Sequence, residues 1–337
     1  MLTAGLLQFI IILKKKVLKV KIFRVHGSEN RFALVPPPLS TQLPVIESRF
    51  PDFLRQRIPV LRDIDGVLLV QPSTQSDCQG RMVIINSDGT HAKMCGNGLR
   101  TVARYLAHKA PTLSFKVATD EAALAVQVHQ DLAPGVPAIG VEISPVLFQP
   151  AALPMTNLGN DPVVNAVIPA FDPHLRFTAV AVPNPHLISF VPSVQATQAT
   201  LKRLGTTLNA PNRYFPDGVN ISFAEIRSKN TLFVQTYERG VGFTNACGTG
   251  MAAVSLSYVT AYHPELVEQP LTVLNPGGMV RIIVHRKKDG RKWIELIGNA
   301  TITHEIEVTA AFAPLSVSQT NEEQAYQQWI RDQLLPK

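Results

Sequence analysis

The chain has 337 residues, 45% of them hydrophobic and 17% charged, with a net charge of +7. That length suits two domains of ordinary size, and the composition is that of a globular protein rather than a disordered or fibrous one. Lys14, Lys15, Lys16 and Lys19 carry more than half of the charge excess, and no basic stripe is interleaved with aromatics, so nucleic acid is not the expected partner.

An apolar run over residues 2–13 opens the chain. At about a dozen residues it is shorter than the ~20 a bilayer span needs. Its lysines follow the run instead of preceding it, and no small-residue cleavage site comes after, so it does not read as a secretory signal. Residues 1–18 are therefore expected to be a non-core extension, with no membrane partner. Three cysteines, Cys78, Cys95 and Cys247, make no disulfide framework and point to free thiols in a reducing compartment, the cytoplasm.

Residues 20–25 and 32–35 read as short strands, 47–57 as a helix, and 66–70 and 81–86 as apolar strands closed by the turn Ser87-Asp88-Gly89. Leu99, Val102 and Leu106 give residues 98–108 helical spacing. Strands are expected at 113–117, 122–128 and 139–143. Six prolines between Pro145 and Pro173 mark a boundary near Phe148. The second half repeats the order: strands at 178–182, 187–190, 219–226 and 231–237, a helix at 250–262, then strands at 271–274, 279–285 and 293–297. Five segments follow from this reading: 1–18 outside the core, 19–148 and 149–300 as two halves, 301–312 as a strand returning to the first half, and 313–337 as a tail with an amphipathic helix at 322–334.

The repeat extends to residues. Met94-Cys95-Gly96-Asn97-Gly98 opens one helix and Ala246-Cys247-Gly248-Thr249-Gly250 the other, about one domain length apart. The first N–H groups of a helix have no intrahelical acceptor, and with the dipole they bind anions such as a carboxylate. A thiol at such a position is expected to titrate closer to neutrality than a free one. Two such helix starts facing one ligand would hold an α-carboxylate and set the α-carbon between two sulfurs, a base on one side and an acid on the other. That is the requirement of stereoinversion. No lysine stands in a pyridoxal-phosphate context, no Cys-x-x-Cys suggests redox chemistry, ligand-spaced His or Cys for a metal are lacking, and no Gly-Lys-Ser/Thr follows the glycines. Neither a cofactor nor a metal is expected. Cys78 reads as a plain loop thiol.

These residues resemble the diaminopimelate epimerase family over residues 19–310. The resemblance is carried by His26-Gly27-Ser28-Glu29-Asn30-Arg31-Phe32, Asn86-Ser87-Asp88-Gly89, Asn184-Pro185-His186, Tyr237-Glu238-Arg239-Gly240, Pro276-Gly277-Gly278 and the two cysteine motifs. It implies an α/β (α+β) fold of two pseudo-symmetric halves, each a mixed or antiparallel sheet wrapped around a central helix, with the active site in the interdomain cleft. Cys95 and Cys247 would be the acid–base pair. Backbone N–H groups of Gly96, Asn97, Gly248 and Thr249 would hold the reacting carboxylate. Asn30, Asn86, Asn184, Asn220, Glu238 and Arg239 would bind substrate, several of them at its distal amino-acid end, with His186 behind them. The implied activity interconverts L,L- and meso-diaminopimelate for lysine and peptidoglycan precursors, on a small-molecule substrate, with a homodimer as the candidate assembly. Pro183, Gly66, Leu99-Arg100 and the run Gly242-Phe243-Thr244-Asn245 depart from the family pattern and bear on substrate identity. A racemase of histidine or hydroxyproline on the same scaffold, a phenazine-biosynthesis-type isomerase and a non-catalytic amino-acid-binding protein are the competing readings. The phenazine-type relative does not keep the cysteine pair.

Overall fold

Alternating burial builds the first strand. β1 (Lys19–Gly27) buries Val20, Ile22 and Val25 and leaves Lys19 and Lys21 outside. The computed structural model to which it belongs describes residues 19–42 and 48–334, so the expected extension over 1–18 lies outside the described residues. β1 turns at Ser28–Glu29 into β2 (Asn30–Val35), followed by the single turn α1 (Leu39–Gln42) and α2 (Phe50–Arg57). Then come β3 (Gly66–Gln71), β4 (Cys78–Asn86), β5 (His91–Ala92), α3 (Gly96–Lys109), β6 (Ser114–Ala118), β7 (Ala123–Ala133) and β8 (Val136–Ile143).

The second half runs β9 (Ala166–Ile168), β10 (Asp172–Val182), β11 (Asn184–Phe190), α4 (Gln198–Asn209), β12 (Asn220–Ser228), β13 (Thr231–Glu238) and β14 (Gly242–Thr244). It continues through α5 (Gly248–Ala261), β15 (Pro270–Asn275), β16 (Gly278–Arg286) and β17 (Lys292–Asn299). β18 (Thr301–Thr309), β19 (Pro314–Gln319) and α6 (Glu322–Leu334) end the described chain. Contact density divides the chain into two units: residues up to Val141 together with Gly298–Asp332, and Glu142–Ile297.

The two units repeat one pairing scheme. In the first, β1–β2 is antiparallel, β2–β3 parallel, β3–β4 antiparallel, β4–β6 parallel, and β6–β7 and β7–β8 antiparallel, with β5 a short addition to β4. In the second, β10–β11, β11–β12, β12–β13, β13–β15, β15–β16 and β16–β17 follow the same sequence of senses, with β14 a short addition to β13. One further strand adds to the first strand of each scheme: β9 pairs antiparallel with β10, and β18 pairs antiparallel with β1. The pseudo-symmetric architecture implied by the sequence is the one observed.

Each unit wraps its sheet around one helix. α5 is buried at every position from Gly250 to Val259, and α3 from Gly98 to Ala103. A helix that is apolar all round belongs inside a core. Gly98 and Gly250 let these helices approach the sheet: a Cβ at Gly98 would lie 2.8 Å from Leu68 Cδ2, and one at Gly250 would lie 3.1 Å from Ser222 Oγ. The opposite faces of the strands carry a second layer. Val67, Leu69, Val83 and Ile85 pack with Phe50, Phe53 and Leu54 of α2. Phe177, Ala179, Leu187, Ile221 and Phe223 pack with Leu201, Leu204 and Leu208 of α4. α4 is a helix that the sequence reading did not place. Among the described residues no helix is long and apolar enough to cross a membrane.

Candidate active site

Cys95 and Cys247 occupy the same position in the two units. Each is the residue that caps a central helix, with extended backbone (φ −148°, ψ 111° and φ −119°, ψ 103°). Each sulfur accepts the N–H three residues on, Gly98 N at 3.4 Å and Gly250 N at 3.3 Å. This is the N-cap geometry usually filled by Ser, Asp or Asn, here supplied by a thiol. The neighbours repeat too. Asn30 and Asn184 begin β2 and β11, Asn86 and Glu238 end β4 and β13, and Gly66 and Asn220 begin β3 and β12.

In the first unit Asn30 lies beside the thiol. Its Nδ2 donates to Asp65 Oδ2 (2.7 Å), which fixes the amide so that Oδ1 turns to Cys95 Sγ (3.6 Å) and to Asn97 Nδ2 (3.5 Å). An acceptor facing sulfur favours the protonated thiol. Burial raises the Cys95 pKa above its ordinary value, opposed by the Gly98 and Asn97 N–H groups and by the Arg100 charge. Arg100 is fully buried, and desolvation lowers its pKa to about 10. Asn86 is held within its own turn, donating from Nδ2 to Thr90 Oγ1 (3.0 Å).

In the second unit Cys247 is 7% exposed, and burial together with the Glu238 carboxylate pushes its pKa up to about 12. Thr249 Oγ1 (3.6 Å) and the Gly250 N–H act in the other direction. Glu238 accepts from Thr244 Oγ1 (2.5 Å). The fully buried His186 has its pKa lowered to about 3 by burial and by Arg239, so the ring is neutral, and its Nε2 meets Asn184 Oδ1 at 3.1 Å. Asn220 Oδ1 accepts the Arg239 backbone N–H (2.8 Å), while the Arg239 guanidinium donates to the Asp217 carbonyl (2.8 Å) at the surface.

Sequence reasoning places the cysteines, Gly96, Asn97, Gly248 and Thr249 at helix starts, as the structure does, and expects Asn30 and Glu238 only as substrate-binding residues. It differs from the structure in two respects. The thiols titrate above their ordinary value, not nearer neutrality, because burial outweighs the helix N–H groups. Glu238 stands beside Cys247 itself. Asp65 was not among the expected residues, and Arg100 and Thr244 entered only as departures from the family pattern, without a role beside the thiols. Among the described residues no three His, Cys, Asp or Glu side chains are grouped as metal ligands would be.

Chemically, each unit offers a thiol, a row of helix N–H donors for an anion, and amides fixed by second partners. Comparison with known proteins adds to this geometry. The family model for diaminopimelate epimerase matches residues 22–141 and 178–303. A diaminopimelate epimerase of Enterococcus faecalis is 46% identical, with 93% of this chain and 98% of the relative covered. That of Lactiplantibacillus plantarum is 44% identical over 92% and 98%. Among solved structures, a PhzF-family phenazine biosynthesis protein of Bacillus anthracis superposes with a TM-score of 0.61 at 15% identity, covering 86% of this chain and 99% of that one. A hydroxyproline epimerase of Agrobacterium vitis gives 0.52 at 14%, over 87% and 92%. At these identities the solved structures speak for the fold alone.

Proposed function

The chain belongs to the diaminopimelate epimerase family, and from that premise we propose that it interconverts L,L- and meso-diaminopimelate with Cys95 and Cys247 working as a pair on one α-carbon. The observation that carries this reading is the matched pair of capping thiols, each at a helix start whose first N–H groups have no intrahelical acceptor.

The substrate carboxylate takes the N–H groups of Gly96 and Asn97 and of Gly248 and Thr249. One thiolate removes the α-proton, so that an S–H bond forms as the C–H bond breaks, and the electron pair passes into the carboxylate as an enediolate. The helix N–H groups stabilise that charge as it develops, the largest contribution available here. The opposite thiol delivers its proton to the other face, leaving a thiolate there. A second turnover in the reverse direction, or exchange with solvent, restores the starting state.

The two thiols are unequal before substrate arrives. Cys247, with Glu238 beside it, enters as the acid. Cys95 has the Arg100 charge and two N–H groups near it, which oppose the rise that burial causes. Glu238, Arg239 and the asparagines then read the charged groups of a substrate that is an amino acid at both ends, which a monocarboxylate such as hydroxyproline lacks. We place the enzyme in the cytoplasm as a homodimer acting on a small molecule.

The test is turnover of L,L-diaminopimelate in deuterated water. Wild-type protein should place deuterium at the α-carbon without added cofactor, and Cys95→Ser or Cys247→Ser should each reduce turnover by about a hundredfold or more. Cys78→Ser should keep it. Full epimerisation by either single variant would refute the paired-thiol reading.

A further inference from the structure

The turn between β1 and β2 is an unusual one. Gly27 and Asn30 face each other across the hairpin, and both linking residues are left-handed, Ser28 at φ 50° and Glu29 at φ 63°. Two left-handed residues in succession are normally Asn-Gly, because a Cβ is crowded in that region. Serine and glutamate hold it here, so partners outside the turn must fix the conformation.

Those partners form one continuous network. Asn299 Oδ1 accepts the Ser28 N–H (2.8 Å), which orients its amide. Nδ2 then faces His26 Nδ1 (3.3 Å) and Thr301 Oγ1 (2.8 Å). His26 Nδ1 also accepts the Glu29 N–H (3.2 Å). A ring nitrogen that receives two donors carries no proton, so the imidazole proton sits on Nε2 and is donated to Glu323 Oε2 (2.8 Å). Gln327 Nε2 donates to Glu323 Oε1 (3.0 Å) and to Glu29 Oε1 (3.0 Å). Tyr326 sets its ring edge against His26, with centroids 4.8 Å apart.

Both ends of this network are anchored. Glu322 takes Arg104 of α3 through two bonds (2.6 and 2.7 Å) and accepts the Ile302 N–H (2.8 Å). Arg100, also on α3, donates from Nη2 to Ser28 Oγ (3.1 Å) and from Nε to the Asn299 carbonyl (3.0 Å). It lies in a slot that Gly27 and Gly298 keep open, since a Cβ at either would come within 2.8 or 2.9 Å of its guanidinium. The residue that follows the turn is Asn30, whose Oδ1 meets the Cys95 thiol.

We propose that α6 is a positioning element for Cys95: through Glu323 on His26 and Gln327 on Glu29 it holds the left-handed turn, and so keeps Asn30 against the sulfur. α6 touches no reacting atom in this account. Its effect reaches the thiol through the turn, which gives the C-terminal segment a catalytic purpose beyond covering the core. The proposal rests on the reading of Cys95 as a catalytic thiol.

The experiment uses full-length protein carrying Cys78→Ser. Iodoacetamide alkylation of Cys95 and Cys247 is followed by mass spectrometry, beside steady-state kinetics. Glu323→Ala should change the Cys95 alkylation rate roughly threefold or more while Cys247 keeps its own, the loss of one hydrogen bond being worth about that factor. kcat should fall about tenfold, and KM should change less, as expected for a sub-ångström misplacement of a reacting group. Glu323→Gln, which retains an acceptor for His26 Nε2–H, should restore both. Gln327→Glu sets a second carboxylate against Glu29 on a part-exposed face. It provides the same test should Glu323→Ala fail to fold.

Wild-type Cys95 reactivity in the folded variants would overturn the proposal. So would equal changes at Cys95 and Cys247, or no rescue by glutamine. Because alkylation needs no substrate, a protein whose Cys95 responds in this way but which does not epimerise diaminopimelate would refute the functional reading and leave the positioning role standing.

Discussion

Gly250→Ala isolates thiol placement from fold stability. The added Cβ would stand 2.9 Å from Thr236 Oγ1, 3.1 Å from Cys247 Sγ and 3.1 Å from Ser222 Oγ. Thr236 and Ser222 are buried and bonded to each other at 2.8 Å, so neither can swing away freely. Overpacking of this kind costs about 1–3 kcal/mol, while exchanging a helical glycine for alanine returns about 1 kcal/mol, leaving a net loss of roughly 0–2 kcal/mol. For a unit of this size that lowers Tm by no more than about 8 °C. The sulfur is the neighbour with most room to yield, and a shift of a few tenths of an ångström there should reduce kcat about tenfold. Gly98→Ala is the control. Its Cβ would meet the flexible end of Leu68 (2.8 Å) and leave Cys95 alone, so kcat should suffer less for a similar change in Tm. Thermal melts and α-proton exchange on the two variants make the comparison. Equal kcat values for Gly250→Ala and wild type, or a larger kcat loss in Gly98→Ala, would refute the reasoning.

Three further outcomes follow from the same geometry. Glu238→Gln should bring Cys247 down from its raised pKa of about 12 by removing the adjacent charge, read from the pH dependence of alkylation. Asp65→Ala should release the Asn30 amide to turn its Nδ2 toward sulfur and remove a nearby charge, so Cys95 should alkylate faster below pH 8; an unchanged rate would mean that Asn30 is held by other means. Glu323 is depressed to about 2 by its bond from His26, below the ~4.3 of a free glutamate. Its contribution to stability is therefore complete above that free value and lost as pH falls toward the folded one, so the Tm gap between wild type and Glu323→Ala should narrow between roughly pH 5 and pH 3.

What the sequence determined by itself was whatever rests on neighbours along the chain. Strands such as β3 and β16 are continuous or alternating apolar runs, and the Cys-Gly-polar-Gly motifs at Cys95 and Cys247 carry their helix starts within five residues. The internal repeat was legible for the same reason. α4 was missed although Leu201, Leu204 and Leu208 stand at helical spacing, with Lys202, Arg203, Thr206 and Thr207 between them; its burial against β10–β12 makes the pattern decisive. The register of β18 against β1 was not legible, since that pairing joins residues far apart in sequence.

Within the site, the tertiary structure decided the chemistry of the groups whose identity the sequence had supplied. Thiol titration depends on how much water reaches the sulfur and on which charges stand near it. Burial raises both cysteines, and Glu238 adds to it at Cys247, against the helix N–H groups that local reasoning had weighed alone. Asn86 was taken up by Thr90, and Arg100, Asp65 and the Glu322–Leu334 helix joined the Cys95 surroundings from positions up to 232 residues away (Cys95 to Gln327). A side chain's type is written in the sequence, but its dielectric environment and its hydrogen-bond partners exist only once the chain has closed around it.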